Sequence, residues 1–563
     1  MKIPRAFLVI SVLFIARQVS ADLNSVTRQS TSCSTDGDCI DGFFFPVLRC
    51  VNGLCIDPTA AAPAAPLLAM AIPAPGVPAG GLGAPCTSIR SCASGLICVS
   101  QNPGGRCAKA DGALGLAHFM VNLIQEDYTP STGTEPLPDQ GGATRTSRAL
   151  AIIFLAAHDA FGIISGAFAP KITSRSVQTE SRRTLASSSS PNMNRERQAE
   201  AAMQAAAFTA AKLLYPSLEQ IVDPVLKNVT DGAIEAFVRF GEVVGRTWFR
   251  IRLGDGSQRD QLDDIFAIGE FLRHQPDPNF PLVTNIEEGV QRNFGRFWGR
   301  VRPFQLSNVR REAFLGPFPK FESDEYRANL EEVTIKGQCN DLTLPNGVRL
   351  EDIGIFWGYD GALGIGVPPR LYLQVVLALR ELQGLSLREQ IRALTAVNVA
   401  MADAGIAAWF WKFFYDLWRP TIGVRNDTIS AMPEWNPRGV PLSNIVTTPK
   451  PPFCVGLNPN FPAYPSGHAS FGTAAFATIA KMLSKRPRDL AVAITSDEFN
   501  GRTIEGTTGL VRREFTQRIS LQEAIEQNKD SRVFLGVHWR FDSEGGDVVG
   551  QQVADIVARA FSV

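Results

Sequence analysis

The chain has 563 residues, 45% of them hydrophobic and 20% charged, so it can bury a large core and has room for more than one domain. Lys plus Arg and Asp plus Glu both number 55. This balance, without a long basic run, gives no electrostatic footprint for nucleic acid or for an acidic membrane surface. Met1 to Ala21 reads as a secretory signal: Lys2 and Arg5 precede the mostly apolar run Ala6 to Ala16, and Val19-Ser20-Ala21 offers a small-residue cleavage site. That run is too short to span a bilayer. No hydrophobic tail follows the last helix, so a lipid anchor is not expected. A secreted, extracellular protein with no membrane span is the expectation.

Eight of the ten Cys lie between Cys33 and Cys107, in two sets of four: Cys33, Cys39, Cys50, Cys55 and Cys86, Cys92, Cys98, Cys107. Each set opens with a Cys-x5-Cys step, which suggests a duplicated disulfide module of an oxidising compartment. Neither set has a CxxC pair or a His, which counts against zinc. Cys339 and Cys454 remain for the large domain, and the sequons at Asn228 and Asn426 fit secretion. The divisions are a signal peptide at 1–21, a first Cys-rich module at 22–56, a Pro/Ala-rich linker at 57–85, a second module at 86–111 and a helical domain at 112–563. The modules are expected to offer surface to an extracellular partner.

After Cys107 long amphipathic patterns dominate. Leu150 to Phe168 is apolar and carries His158-Asp159, where a buried, hydrogen-bonded His is expected. Lys171 to Gln198 turns to Ser, Arg, Thr and Asn and reads as a flexible loop near 171–198. Helices are predicted over Ala199 to Leu214, Asp231 to Arg252, Asp324 to Lys336, Pro369 to Leu382, Leu387 to Leu417, Ser466 to Leu483, Leu521 to Gln527 and Asp547 to Phe561. The fold class is all-α: helix bundles, two of them four-helix bundles, with a disulfide-rich N-terminal extension.

Three segments carry chemistry. In AAWFWKFFYDLWRP, Lys412 and Arg419 are seven apart, which on a helix puts them on one face about 10 Å apart along the axis, among aromatic residues that resemble core. Pro420 is predicted to end that helix. In FPAYPSGHASFG, Pro465 and Ser466 suit a helix start, whose free N–H groups attract oxyanions, Gly467 allows close approach, and His468 follows. In SRVFLGVHWRFD, a bend near Gly536 must bring Arg532 and His538 together, while Asp542, four after His538, can accept a hydrogen bond from its ring. Three cations, two neutral donors and two of the five His of the chain suit a tetrahedral oxyanion with a proton-transfer partner.

K-x6-RP, PSGH and SR-x5-H-x3-D, in this order, resemble the signature of the vanadium-dependent haloperoxidases and the acid phosphatases of the type 2 phosphatidic acid phosphatase superfamily. The likeness extends through FWGYDGALGIGVPPRLY, from Phe356, and NVAMADAGIAAWFWK, from Asn398. The resemblance implies vanadate as cofactor, His538 as its apical ligand, and Lys412, Arg419, Ser466, Gly467 and Arg532 around its equatorial oxygens. It implies His468 as the acid/base for the peroxide proton, Lys412 as the group that polarises bound peroxide, and Asp360 as the partner of Arg532. Trp409, Pro459 and Phe461 are similar to the halide wall of the chloroperoxidase type. The substrates implied are hydrogen peroxide, a halide (chloride or bromide) and an organic acceptor that the sequence does not identify. An acid phosphatase would use the same pocket, with His538 attacking phosphorus; a non-catalytic matrix or adhesion protein is the third reading.

Overall fold

Serines begin helices where the apolar periodicity begins. Ser323 Oγ accepts from the Tyr326 N–H at 3.2 Å. Ser520 Oγ accepts from the Glu523 N–H at 3.2 Å, and Glu523 returns a carboxylate oxygen to the Ser520 N–H at 2.8 Å. The computed structural model describes residues 49–51, 54–56, 81–99, 105–129, 138–187, 194–259, 262–263, 266–279, 292–339, 342–444 and 456–562. The signal peptide, most of the first Cys-rich module and of the linker, and Cys454 lie outside the described residues.

The chain divides into two units, the first spanning Met1–Leu67 and Val283–Val290. Within it, β1 (Arg49–Val51) pairs antiparallel with β2 (Leu54–Ile56). The second unit starts with a three-stranded antiparallel sheet, order β3-β5-β4, made of β3 (Pro85–Cys86), β4 (Ile97–Val99) and β5 (Gly105–Ala108). Disulfides Cys86–Cys98 and Cys92–Cys107 hold it, so these thiols are not metal ligands, and Cys339 is disulfide-bonded as well.

The helices follow: α1 (Gly112–Asp127), α2 (Ala143–Ser165), α3 (Arg175–Ser187), α4 (Arg195–Leu214), α5 (Glu219–Val229) and α6 (Glu235–Arg252). A short pair, β6 (Leu262–Asp263) and β7 (Asn293–Phe294), leads to α7 (Val309–Glu312), α8 (Asp324–Lys336), α9 (Leu350–Phe356), α10 (Pro368–Leu377) and α11 (Arg380–Gln383). Then come α12 (Leu387–Tyr415), α13 (Pro420–Arg425), α14 (Gly467–Met482), the hairpin β8 (Ala491–Asn500) and β9 (Glu514–Ser520), α15 (Leu521–Phe534) and α16 (Arg540–Phe561). The fold is helix bundles with a disulfide-rich N-terminal extension. α2, α4 and α6 pack on one another, α14, α15 and α16 do the same, and α12 touches both groups. α2 and α12 are long and apolar enough to cross a bilayer, but 94% of the relevant stretch of each is buried inside the protein, so they are its core.

Close approach of α16 to α14 depends on glycine. A Cβ at Gly546 would stand 2.6 Å from the Ser466 carbonyl oxygen, and one at Gly550 would stand 2.7 Å from Thr473 Cβ. The start of α14, where PSGH lies, is thereby pressed against α16.

Three expectations are corrected. The segment read as a flexible loop near 171–198 is helical over Arg175–Ser187: Val177 and Thr184, two turns apart, are buried on one narrow stripe that a Ser/Arg-rich composition conceals. The helix expected over Pro369 to Leu382 breaks after Leu377, and α12 ends at Tyr415. The β8–β9 hairpin was not expected at all. His158 is buried in α2, and its Nδ1 lies 2.9 Å from Asp159, a structural role like the one expected.

Candidate functional site

Lys412 and Arg419 converge, but not by helical periodicity. Lys412 is in the last turn of α12, where Asp416 takes a φ of 50° and ends the helix; Pro420 begins α13 and Arg419 is its N-cap. Proline thus starts a helix here instead of terminating one. Both cations reach the 461–463 segment that leads into PSGH. Lys412 Nζ donates to the Pro462 and Ala463 carbonyls at 2.7 and 3.0 Å, and Arg419 Nε to the Phe461 carbonyl at 2.9 Å. Lys412 Nζ stands 5.1 Å and the Arg419 guanidinium 5.0 Å from the centre of the Phe461 ring.

Ser466 caps α14, its Oγ accepting from the Ala469 N–H at 3.4 Å while its own N–H donates to the Asp542 carbonyl at 2.7 Å. His468, in the first turn, donates from Nε2 to the Gly358 carbonyl at 2.7 Å, which fixes one tautomer and leaves the Nδ1 lone pair free of that bond. Arg532 makes a two-pronged pair with Asp360 at 2.9 and 3.1 Å, and Asp360 Oδ1 lies 3.8 Å from His468 Nε2. His538 donates from Nδ1 to Asp542 Oδ2 at 2.8 Å, and its Nε2 accepts from Arg419 Nη1 at 3.0 Å. Asp542 also accepts from the Trp539 N–H at 3.0 Å.

The bend between Arg532 and His538 is at Gly536, with φ of 68°. It folds the Val537 and His538 N–H groups back onto the Arg532 carbonyl at 3.1 and 3.3 Å. A Cβ there would lie 2.3 Å from the Gly337 carbonyl oxygen. Gly536→Ala is expected to lower the unfolding free energy by about 2 kcal/mol or more, since clash and left-handed strain add. Chemical denaturation measures this, and a loss below about 0.5 kcal/mol, the range of ordinary surface changes, would show that the turn tolerates a side chain.

The structure therefore gathers Lys412, Arg419, Ser466, His468, Arg532, His538, Asp360 and Asp542. Gly467 belongs with them: a Cβ on it would stand 3.2 Å from the Trp409 ring. Trp409 and Phe461 pack with tilted rings, centres 5.0 Å apart, beside the cations. Pro459 lines a small cleft with His274, Asp277, Arg419, Thr421 and Asn458.

Electrostatically the site holds more cationic than anionic groups, under strong burial. Desolvation pushes Lys412 well below the usual amine range, and the Arg419 charge adds to this. Burial lowers Arg419 to about 9, against the pull of Asp542. His468 falls to about 3, through burial and then the Arg532 charge, and His538 falls well below its ordinary value through burial and then Arg419. Asp542 rises to about 7 through burial, opposed by Lys412. An anion among these groups would offset the repulsion between the cations. Among the described residues, buried Arg419 Nη2 and Arg532 Nε have no hydrogen-bond acceptor. Buried N–H groups of cations left over in a cationic pocket match the oxygens of a tetrahedral oxyanion such as vanadate.

Sequence reasoning missed two neighbours. His274 is buried beside Arg419, its backbone N–H donating to the Asp416 carbonyl at 2.8 Å. Phe294 packs near Trp409 and Phe461, with ring centres 6.5 and 6.4 Å away. The scarcity of His in the chain was the one available signal for His274; for Phe294 there was none.

Fold and site together define a helix-bundle protein that buries two imidazoles and three cations in one cluster. Residues 392–562 match the family model of the VCPO second helical-bundle domain. A vanadium chloroperoxidase of Curvularia inaequalis is 35% identical over 223 residues, covering 34% of this chain and 36% of that protein. The match thus spans about a third of the curated relative's length. Among solved structures, a bacterial vanadium-dependent iodoperoxidase superposes with a TM-score of 0.54 at 18% identity, over 79% of this chain and 96% of that one. A holo-type bacterial vanadium-dependent chloroperoxidase gives 0.54 at 15% identity, over 75% and 92%. Residues 392–562 are thus similar to a VCPO second helical bundle, and the fold is that of the vanadium haloperoxidase structures.

Proposed function

We propose that the protein is a vanadate-dependent haloperoxidase that oxidises a halide, chloride or bromide, with hydrogen peroxide to a hypohalous acid or its equivalent. The observation that carries this reading is the burial of Lys412, Arg419, Arg532, His468 and His538 as one electrostatically coupled cluster, with guanidinium N–H groups that have no acceptor. His538, its Nδ1 proton held by Asp542, offers Nε2 as a ligand. Lys412, Arg419 and Arg532, with Ser466 and the Gly467 backbone, supply positive charge and donors for the oxygens. Bound vanadate supplies Lewis-acid activation of peroxide without a change of its own oxidation state. His468 takes the peroxide proton at Nδ1, because Nε2 is engaged by Gly358. Lys412 withdraws electron density from the oxygen that the halide attacks. Trp409 and Phe461 present an apolar wall that strips water from the approaching halide. We further propose secretion, by the leader at Met1 to Ala21; protein retained in the cells with its leader intact, read by mass spectrometry, would count against it.

The test is a titration of metal-free protein with orthovanadate, assaying oxidation of chloride, bromide and iodide by peroxide alongside phosphate-ester hydrolysis. Halide oxidation is expected to appear only with vanadate. Phosphatase turnover without it would overturn the reading, and iodide as the one halide oxidised would overturn the proposed specificity. The same titration should raise the pKa of His468 from about 3, since an anion offsets the Arg532 charge that helps depress it. Histidine 15N spectra across pH report this; an unmoved midpoint would show that His468 does not face the anion.

A further inference from the structure

Three consecutive residues of one turn serve the proposed site. The Gly358 carbonyl accepts from His468, and the Asp360 carboxylate pairs with Arg532. Between them Tyr359 takes a φ of 47°, a left-handed conformation that costs a bulky residue about 1–3 kcal/mol and persists only where its surroundings impose it. Those surroundings come from β8, the strand absent from the sequence reading. Ser496 Oγ donates to the Phe356 carbonyl at 2.6 Å, the Asp497 N–H donates to the Tyr359 hydroxyl at 2.8 Å, and the Tyr359 N–H donates to Glu498 Oε1 at 3.3 Å.

The clamp is itself braced. Ser496 Oγ also accepts from the Glu498 N–H at 3.2 Å. Glu498, buried, is held by Arg512 at 2.6 Å and by the Ser443 hydroxyl, while Arg512 is shared with Glu505. Asp497 is held by Arg370 and by Gln374, the latter at 3.1 Å. Such a network is dear to bury, and the oxyanion pocket does not use it directly. Its contacts fall on the 356–359 segment that aims His468 and Arg532.

We propose that Ser496, Asp497 and Glu498 are positioning residues: β8 locks the 356–360 turn in its left-handed form and thereby fixes the tautomer of His468 and the orientation of Arg532. The inference rests on the oxyanion site proposed above, but its first readout does not depend on turnover. The full-length chain is labelled with 15N-histidine, and His468 is assigned by its loss in His468→Gln. Wild type is expected to show one Nε2–H tautomer. Glu498→Ala is expected to show a mixture and to bind orthovanadate, by calorimetry, about tenfold more weakly or worse, the scale typical of partners behind a ligand, whereas Glu498→Gln stays within about threefold.

Ser496→Ala, which leaves the Glu498–Arg512 pair in place, should move the tautomer in the same sense by less, and it decides the matter if Glu498→Ala fails to fold. A single, unchanged His468 tautomer in folded Glu498→Ala or, failing that, in Ser496→Ala overturns the proposal. A shifted tautomer in a protein whose wild type binds no vanadate upholds the clamp and overturns the haloperoxidase reading instead.

Discussion

Alanine in place of Asp360 strips the buried Arg532 guanidinium of its carboxylate, and the unfolding free energy is expected to fall by about 3–5 kcal/mol. The magnitude follows from burial: Arg532 is fully enclosed, and the pair is two-pronged at 2.9 and 3.1 Å. Removing one partner leaves a desolvated charge with no compensation, which costs far more than the net worth of the pair. Asp360→Asn keeps an acceptor and loses the charge, so it should cost roughly half as much, as hydrogen bonds to charged groups are worth about 1.5–3 kcal/mol. Urea denaturation of both variants measures the difference. A loss below about 1 kcal/mol in Asp360→Ala, the range of exposed pairs, would show that Arg532 finds its countercharge elsewhere.

His538→Ala is expected to lower orthovanadate affinity by more than about a hundredfold, beyond the 10–100-fold range typical of partners behind a ligand. The imidazole is fixed at both nitrogens, by Asp542 on Nδ1 and by Arg419 on Nε2, so its orientation needs no rearrangement beyond exchange of the Arg419 bond. Asp542→Asn should fall inside that 10–100-fold range, because the ring keeps its place and loses its charged acceptor. Calorimetric titration of folded variants, checked by circular dichroism, separates the two. Unchanged affinity in both His538→Ala and Lys412→Ala would favour an inert bundle.

The site was legible where a residue's chemistry and its local backbone coincide. Ser466 is a helix cap, Gly536 a bend and Asp542 a ring acceptor, each read from a few adjacent residues. Lys412 and Arg419 do converge, but not for the reason their spacing offered: seven residues suggested one helical face, and the chain instead breaks at Asp416 and restarts at Pro420. His274 and Phe294 were missed because backbone bonds carry them in, to the Asp416 and Asn460 carbonyls, and such bonds leave no side-chain pattern. The β8 strand was missed because its second half is buried on both faces, which erases the alternation that marks a half-exposed strand. Short-range chemistry was readable, whereas the parts that aim it were set by tertiary pairing.

The contact of α16 on α14 also bears on how such a protein can change over time. Where Gly546 meets the Ser466 carbonyl, main chain touches main chain, and the Ser466 N–H to Asp542 carbonyl bond ties the same two segments. The interval between His468 and His538 is therefore gauged by backbone, in an interior too dense to yield much. Apolar side chains elsewhere in the bundles can drift, exchange and tune heat resistance without altering that interval. A scaffold free to repack and a fixed interval between its two imidazoles are compatible because a glycine, with nothing to repack, keeps the gauge.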